Sequence, residues 1–366
     1  MDDIVPISPQ APERSLPSLA EGPACPAPAP ITGEVQLGHG SGGKLSATLL
    51  RERFLPHFAN PALERLADAA VLPAPVGELA ISTDTFVVHP LEFPGGDIGM
   101  LAVHGTLNDV AMMGAVPVAL TAGFVLEEGL SLALLDRIVT SMGLAARAAG
   151  VPLVAGDTKV VERGKADGMF ICTTGIGAVD PAFRPGPERA RPGDVVLVSG
   201  PIGRHGMAIM AVREGLAFEA AIESDTACLV PLVAALRQAA GCGVHVLRDP
   251  TRGGVASAVN EIAAASRVGI ELDQPALPIP GPVEAACEML GLDPLYVANE
   301  GILLAVVAVE RADAALSALR SHPLGAGAAR IGTVVDVHHR MVVMRTAIGG
   351  MRVVDLLPGD QLPRIC

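Results

Sequence analysis

Apolar positions along the chain switch between a spacing of two and a spacing of three to four, the periods of strand and helix. Leu45 to Phe58 has helical spacing and follows a glycine-rich stretch, LGHGSGGKL (37–45). Residues 78–88, ELAISTDTFVV, read as a strand with a polar interruption. Residues 97–115 have helical spacing and close at glycine, and 117–126 are rich in strand formers. Residues 132–150 form an amphipathic helical pattern stopped by Gly150, a residue type that ends helices by adopting left-handed backbone. Two strands follow, at 151–161 and 168–179. This alternation predicts a block of mixed α/β structure.

Residues 180–193, DPAFRPGPERARPG, are rich in proline, glycine and charge and predict a boundary. A second α/β block is expected beyond it. Its pattern gives a strand at 194–200, a helix at 204–215, strand, turn and helix over 244–266, and strands at 301–309, 329–337 and 340–346. Residues 347–366 are expected to leave the core as a mobile tail. Residues 1–33, with PACPAPAPI at their centre, have little to bury and are expected to be a disordered extension. The expected domains are therefore 34–179 and 180–346, with 1–33 and 347–366 as appendages. A chain of 366 residues, half of them hydrophobic, is long enough for two such cores.

Charge narrows the possible partners. The formal net charge is -13, with no Trp and one Tyr, so neither nucleic-acid phosphate nor stacked bases find a matching surface. The most apolar run, Gly301 to Val309, is strand-sized, too short to cross a membrane. The sequence opens with Asp2 and Asp3 and then runs rich in proline, without the basic start and apolar stretch of a signal peptide. These features place the protein in the cytoplasm. There Cys25, Cys172, Cys228, Cys242, Cys287 and Cys366, which show neither a Cys-x-x-Cys pair nor zinc spacing, read as free thiols.

Four groups of residues carry possible chemistry. The first is GHGSGGK (38–44), in which Gly42 and Gly43 let backbone approach a phosphate and Lys44 adds a point charge. It lacks the Walker A spacing, and taken alone it reads as a flexible glycine turn rather than a phosphate cradle. The second is Asp84, Asp109, Asp157 and Asp249, each beside turn-like or glycine-rich sequence. They are hard-oxygen ligands for Mg²⁺ and a nucleotide, or else helix caps and Asx-turns. The third is Lys159 and Glu300 at the edges of apolar strands, where burial would tune them for proton transfer; a salt bridge is the alternative. The fourth is Cys366, after LPGDQLPR: a thiol on an irregular arm, either entering an active site or fraying. The three residues that a prenylation signal needs after its cysteine are absent. His39, His104 and His245 show no metal-binding spacing and are read as non-ligands.

Taken together, GHGSGGK, STDTFVVHPLEFPGGDIG, VHGTLNDVAMMGA, AGDTKVV, RDPTRGGVA, ANEG and the terminal PRIC occur in family order over residues 34–366 and resemble the HypE family of hydrogenase-maturation proteins. The resemblance implies a two-domain PurM-like ATP-binding fold, whose N-terminal sheets pair in a homodimer. It implies that the HypF carbamoyltransferase loads a carbamoyl group onto Cys366, that the group is dehydrated to a thiocyanate at the expense of ATP, and that the cyano group passes to iron on a HypC–HypD complex. An amide oxygen is a poor leaving group, phosphorylation makes it a good one, and water must be excluded meanwhile. By the same resemblance Cys366 carries the substrate and Lys159 and Glu300 handle the amide protons. Asp84, Asp109 and Asp249 hold Mg²⁺–ATP, Asp157 and Asn108 lie near the phosphates, and Lys44 with Gly42 and Gly43 belongs to a segment closing over the nucleotide.

Other ATP-using members of this superfamily are the competing enzymes. Selenophosphate synthetases carry a Cys or selenocysteine two residues before the glycine-rich Lys, where this chain has Gly42. Aminoimidazole ribotide synthetases and thiamine-phosphate kinases lack the terminal cysteine arm. A non-catalytic carrier for a modified cysteine is the alternative from outside enzymology.

Overall fold

The computed structural model of the chain describes residues 33–216, 221–356, 362 and 364–366. The extension expected over 1–33 lies, apart from Gly33, outside these residues. The helical stretch anticipated from Leu45 runs as α1 (Lys44–Leu49), a wide turn over Leu50–Phe54, and α2 (Leu55–Phe58). Next come β1 (Leu79–Phe86), the short pair β2 (Glu92–Phe93) and β3 (Gly96–Asp97), α3 (Ile98–Met112), β4 (Ala115–Glu127), α4 (Leu132–Ala149), β5 (Leu153–Val161) and β6 (Met169–Val179). The second block holds β7 (Val195–Val198), α5 (Arg204–Arg213), α6 (Val230–Ala240), β8 (Val244–Arg248), α7 (Gly254–Ser266), β9 (Gly269–Asp273), α8 (Gly281–Leu290), β10 (Leu304–Val307), α9 (Val309–Ser321), β11 (Ala329–Val335), β12 (Val342–Arg345) and β13 (Met351–Val354).

Two larger sheets result. The first has the order β1-β6-β4-β5 and the second β13-β12-β9-β11-β7-β10-β8. In the second sheet, β7 and β10 read as unbroken apolar runs, VVLV and LAVV, because both faces are covered. Alternate residues (Val196, Val198, Leu304, Val306) pack towards α7, and the intervening ones (Val195, Leu197, Ala305, Val307) pack towards α6 and α9.

The first sheet is covered on one side only. Ser82, Asp84 and Phe86 of β1 face α3, whereas Leu79, Ile81, Thr83 and Thr85 point away and are exposed, as the two-residue period of a strand requires. Gly175 and Gly177 of β6 make the close approach of α3 possible. A Cβ at Gly177 would lie 2.4 Å from Val110, and one at Gly175 would lie 3.0 Å from Thr106. The far end of α3, through Ala111 and Met112, joins the core formed by α6 and α9. This helix therefore spans the space between the two sheets.

The structure departs from the sequence reading in three places. Met351–Val354, expected in the tail, is the outer strand β13, paired antiparallel with β12; its two valines at the C-terminal end follow the strand preference of branched residues. The run 301–309 is a shorter strand, because Val309 already opens α9. The helices α6, α8 and α9 and the strand β9 had not been anticipated, although α6 carries proline in its first turn, a common helix start.

The start of α3 is fixed by Asp97, whose carboxylate accepts from the backbone N–H of Gly99 (2.8 Å) and Met100 (2.9 Å) and from the Ser141 hydroxyl (2.6 Å). An Asp97→Ala substitution is expected to cost about 1–2 kcal/mol of unfolding free energy, read as a lower urea midpoint. An unchanged midpoint would show that this cap does not hold the helix.

Candidate functional site

Four elements bring carboxylates to one cleft. Asp84 comes from the edge strand β1 on the side that faces α3. Asp109 comes from α3, where the Ser82 hydroxyl donates to it at 2.6 Å. Asp249 follows β8, and Glu300 precedes β10. The antiparallel register of β10 and β8, with Leu304 opposite Arg248, sets these last two side by side. Asn299 fixes the pairing of the two loops by donating to the carbonyl of Pro250 (2.9 Å) and accepting from the Gly203 N–H (2.6 Å). The turn after Asp249 is set by Gly253 and Gly254, both left-handed (φ +75° and +62°). A Cβ at Gly254 would collide with the Leu295 carbonyl at 2.4 Å.

Cys366 completes the cleft. With Asp84, Asp109, Asp249, Glu300 and Arg252 it lines a cavity of about 40 Å³. Its thiol and the Glu300 carboxyl line this cavity together and interact electrostatically. The arm expected to be a mobile tail is thus seated, at its end, in the carboxylate cleft of its own chain. Gly105 of α3 leaves the necessary room, since a Cβ there would lie 2.9 Å from the Phe86 ring and 3.8 Å from the Glu300 carboxylate.

The electrostatics follow from crowding. Burial together with the neighbouring Asp109 charge pushes Asp84 up to about 6. Burial, with Asp109 beside it, raises Asp249 to about 7. Glu300 is raised well above the usual carboxylate range by burial, then by Asp249 and Asp225. Burial and the Glu300 charge push the Cys366 thiol well up. Arg252 is a nearby guanidinium that opposes part of this, through Asp84 and Cys366. One Glu300 oxygen is buried without a hydrogen-bond partner. Among the described residues no three His, Cys, Asp or Glu side chains already converge tightly enough to hold a metal ion.

The remaining expected residues lie elsewhere. Asp157 and Lys159 sit on β5 at the opposite edge of the first sheet, facing its open side, and pair with each other at 2.8 Å. Lys159 is exposed rather than buried, which corrects the expectation of a strand-edge lysine tuned by burial. Its parity along the strand puts it on the face away from Asp84: Asp157 is in register with Gly123, Cys172 and Thr85, the outward neighbours. Three strand spacings, about 14 Å, add to the separation. Asn108, expected near phosphates, instead spends its amide on backbone. It donates to the Ala227 carbonyl (2.9 Å) and accepts from the Leu229 N–H (2.7 Å). Gly43 caps α1 and Lys44, exposed, is its first residue.

Gly42 helps line a second, larger cavity of about 350 Å³, with Asp157 and Lys159 at its side and Phe54, Phe58 and Phe124 in its wall. His39, read from the sequence as a non-ligand, is buried in this wall. Its Nδ1 accepts from the Gln36 N–H at 2.8 Å, and its Nε2 has no hydrogen-bond partner.

Sequence reasoning also passed over Arg252 and Asp225. Arg252 lay within the quoted DPTRGG motif. Asp225 is half-buried and accepts from the Glu300 N–H at 3.1 Å, and desolvation raises it to about 6. Nothing in its local sequence distinguishes it from a surface aspartate.

Comparison with known proteins accounts for this arrangement. Residues 66–179 match the N-terminal domain of AIR synthase related proteins, and residues 191–344 match the C-terminal domain. Carbamoyl dehydratase HypE of Azotobacter vinelandii is 56% identical over 334 residues, 91% of this chain and 98% of that protein. A solved structure of hydrogenase maturation protein HypE in complex with ATP superposes with a TM-score of 0.87 at 52% identity, covering 90% of this chain and 99% of that one. A HypE–HypF complex contains a chain matching at a TM-score of 0.75 and 47% identity, over 84% of this chain and 99% of that one. The chain belongs to the HypE family of carbamoyl dehydratases, built on the paired domains of AIR synthase related proteins.

Proposed function

We propose that this chain uses ATP to dehydrate an S-carbamoyl group on its own Cys366 to a thiocyanate, the source of the cyanide ligand of nickel–iron hydrogenase. The observation that carries this reading is the Cys366 thiol, seated against Glu300 in a cleft of carboxylates. One water needs about 10–15 Å³, so a cavity of about 40 Å³ has room for about three such atoms, the size of a carbamoyl group. Glu300, with its raised proton affinity, is the stronger base once ionised and touches the sulfur that would carry the amide. Its partnerless oxygen is free to accept an amide proton. Burial of the cleft keeps water from the activated group.

The donor set fits a divalent cation with a nucleotide. Asp84, Asp109 and Asp249 present hard oxygens and repel one another, and Arg252 offsets that charge only in part. They do not form a closed cage, and Mg²⁺ seldom uses one: it keeps waters and takes one or two carboxylates together with substrate phosphates. In this reading those three aspartates hold the ion. The glycine-rich segment with Gly42, Gly43 and Lys44, and the Asp157 edge, which stand with Lys159 on the far edge of the sheet, hold the nucleotide of the other copy's cleft, with Asn108 positioning the loop around the aspartates. When bound, ATP supplies the phosphoryl group that turns the amide oxygen into a leaving group.

Lys159 cannot join Cys366 within one chain, because it stands on the other face and edge of the sheet. We infer that two copies pair through the open face of the first sheet, where Leu79, Ile81, Val116 and Val118 are exposed, and that Lys159 of one copy serves the cleft of the other. A HypF carbamoyltransferase, seen with a relative, loads the thiol, and a HypC–HypD complex receives the cyano group. Among the described residues no helix is long and apolar enough to cross a membrane, and we assign the reaction to the cytoplasm.

Three measurements test this. Intact-protein mass spectra after incubation with HypF, carbamoyl phosphate and Mg²⁺–ATP should show a carbamoyl adduct that loses the mass of one water, and neither species in Cys366→Ala. An adduct that never dehydrates would leave a carrier, and no adduct with an active partner would return the choice to other ATP-using enzymes of the superfamily.

Thermal melting of the ligand-free protein should depend on pH in a defined sense. Asp84 and Asp249 bind protons more tightly folded than unfolded, their values raised to about 6 and about 7. Their contribution to stability therefore grows as pH falls from about 8 to about 6.5. Below that the buried His104 and His205, pushed down to about 4, work the other way, because the unfolded chain takes up their protons. Asp249→Asn should flatten the rise, and Mg²⁺–ATP should raise the melting temperature most at the alkaline end. A flat profile in the unaltered protein would count against the carboxylate cluster.

Sedimentation velocity should give a dimer for the unaltered chain and a monomer for Ile81→Glu. A dimer that survives that charge would remove the open sheet face from the interface.

A further inference from the structure

The seat of the terminal arm is built from residues that take no part in the chemistry. His205, fully buried in the first turn of α5, hydrogen-bonds through Nε2 to the Ile365 carbonyl at 2.9 Å and through Nδ1 to the Ser224 hydroxyl at 2.8 Å. Burial pushes its pKa down to about 4, so the ring is neutral and carries one N–H. The carbonyl can only accept, so that proton sits on Nε2 and Ser224 donates to Nδ1. The Phe93 ring meets the imidazole edge-on at 5.5 Å, which fixes its plane. One residue earlier, the Arg364 carbonyl accepts from the His89 N–H at 3.3 Å and from the guanidinium of Arg213. Arg213 also donates through Nε to the His89 carbonyl at 2.6 Å. The side chains of Leu362 and Ile365 are buried.

This seat contains its own opposing terms. Arg364 has left-handed backbone (φ +56°), which strains a residue that carries a side chain. Arg213 and Arg364 repel each other, and the Arg364–Asp167 ion pair that offsets this is exposed, so it adds little. Docked, the half-buried thiol lines a cavity of about 40 Å³, too small to admit another protein's active site. A second protein cannot load it there, so a group must be added with the arm out and dehydrated with the arm in.

We propose that His205 and Arg213 are positioning residues that grip the backbone of Arg364 and Ile365 and set the fraction of time Cys366 spends in the carboxylate cleft. They act through peptide carbonyls, so they hold the arm whether or not the sulfur is modified. The inference rests on the dehydratase reading for its purpose but not for its test.

The test is the rate at which iodoacetamide alkylates Cys366 in the full chain without ATP or partner. It is read by mass spectrometry on the peptide Asp360–Cys366, released by cleavage before Asp360, which contains no other cysteine. Arg213→Ala and His205→Ala should each raise that rate about tenfold, the effect expected of losing a charged or buried hydrogen bond. Arg213→Lys, which keeps a single donor, should fall between. With Cys366 already carbamoylated, single-turnover dehydration should slow by a similar factor, while loading by HypF is unchanged or faster. A merely structural role would not separate loading from dehydration in this way. Unchanged alkylation in Arg213→Ala, a variant at a half-buried position where folding is not at stake, would overturn the proposal even if His205→Ala failed to fold. Faster alkylation in a protein that never dehydrates would keep the seat and reject the dehydratase.

Discussion

The structure depends on one helix that is buried on every side. Nearly all residues of α3 are inaccessible, so it has no solvent face on which to shift or rotate. Each polar group it carries must find a partner within the protein. Thr106 pairs with Thr173 under the first sheet, Asn108 answers two backbone groups of the 227–229 loop, and Asp109 meets Ser82 and Asp84. These bonds run outward in three directions. They fix the edge strand β1 and the loop that carries Asp225, and through Asp225 the backbone of Glu300. The positions of the cleft residues relative to one another are therefore consequences of where α3 lies.

The cleft itself is arranged against its own stability. Four carboxyls and a thiol are crowded together with Arg252 as the nearby cation. The result is a set of raised proton affinities, and Glu300 and Asp225 each keep one oxygen without a hydrogen bond. Buried, unpaired acids of this kind are costly in an apoprotein and are reasonable only where a cation and a phosphate chain are meant to arrive. The folded scaffold supplies the surplus. The central strands of the second sheet are covered on both faces, and apolar burial on that scale is the dominant favourable term in folding.

The sequence made the alternation of elements legible because its periods are clean. Asp249, Glu300 and Cys366 were legible because each stands beside proline, glycine or the chain end, and Asp84 and Asp109 because each interrupts an apolar element. What it hid was which face each residue occupies. Asp84 and Lys159 both interrupt apolar strands, yet one lies on β1 and the other on β5, on opposite sides of the sheet, and only strand order and register reveal it. Asp225 and His205 were invisible for a different reason. Their surroundings are polar and turn-like in sequence, and what encloses them is brought in by the fold: Phe93, Ser224 and Ile365 meet His205, and the Glu300 backbone meets Asp225. The strand β13 was lost because glycines and a following leucine pair, read locally, resemble the beginning of a tail.

That strand limits the reach of the chain end. Cys366 lies ten residues beyond Leu356, at the foot of β13, and ten residues span at most about 35 Å when fully extended. A group on its sulfur therefore remains within a sphere of that radius centred on the sheet edge, at an effective concentration of millimolar order for a short tether. The cleft does not have to capture its substrate from solution, and binding affinity for the free carbamoyl group is not something selection had to build. What it had to build is a seat from which the tethered group can leave again.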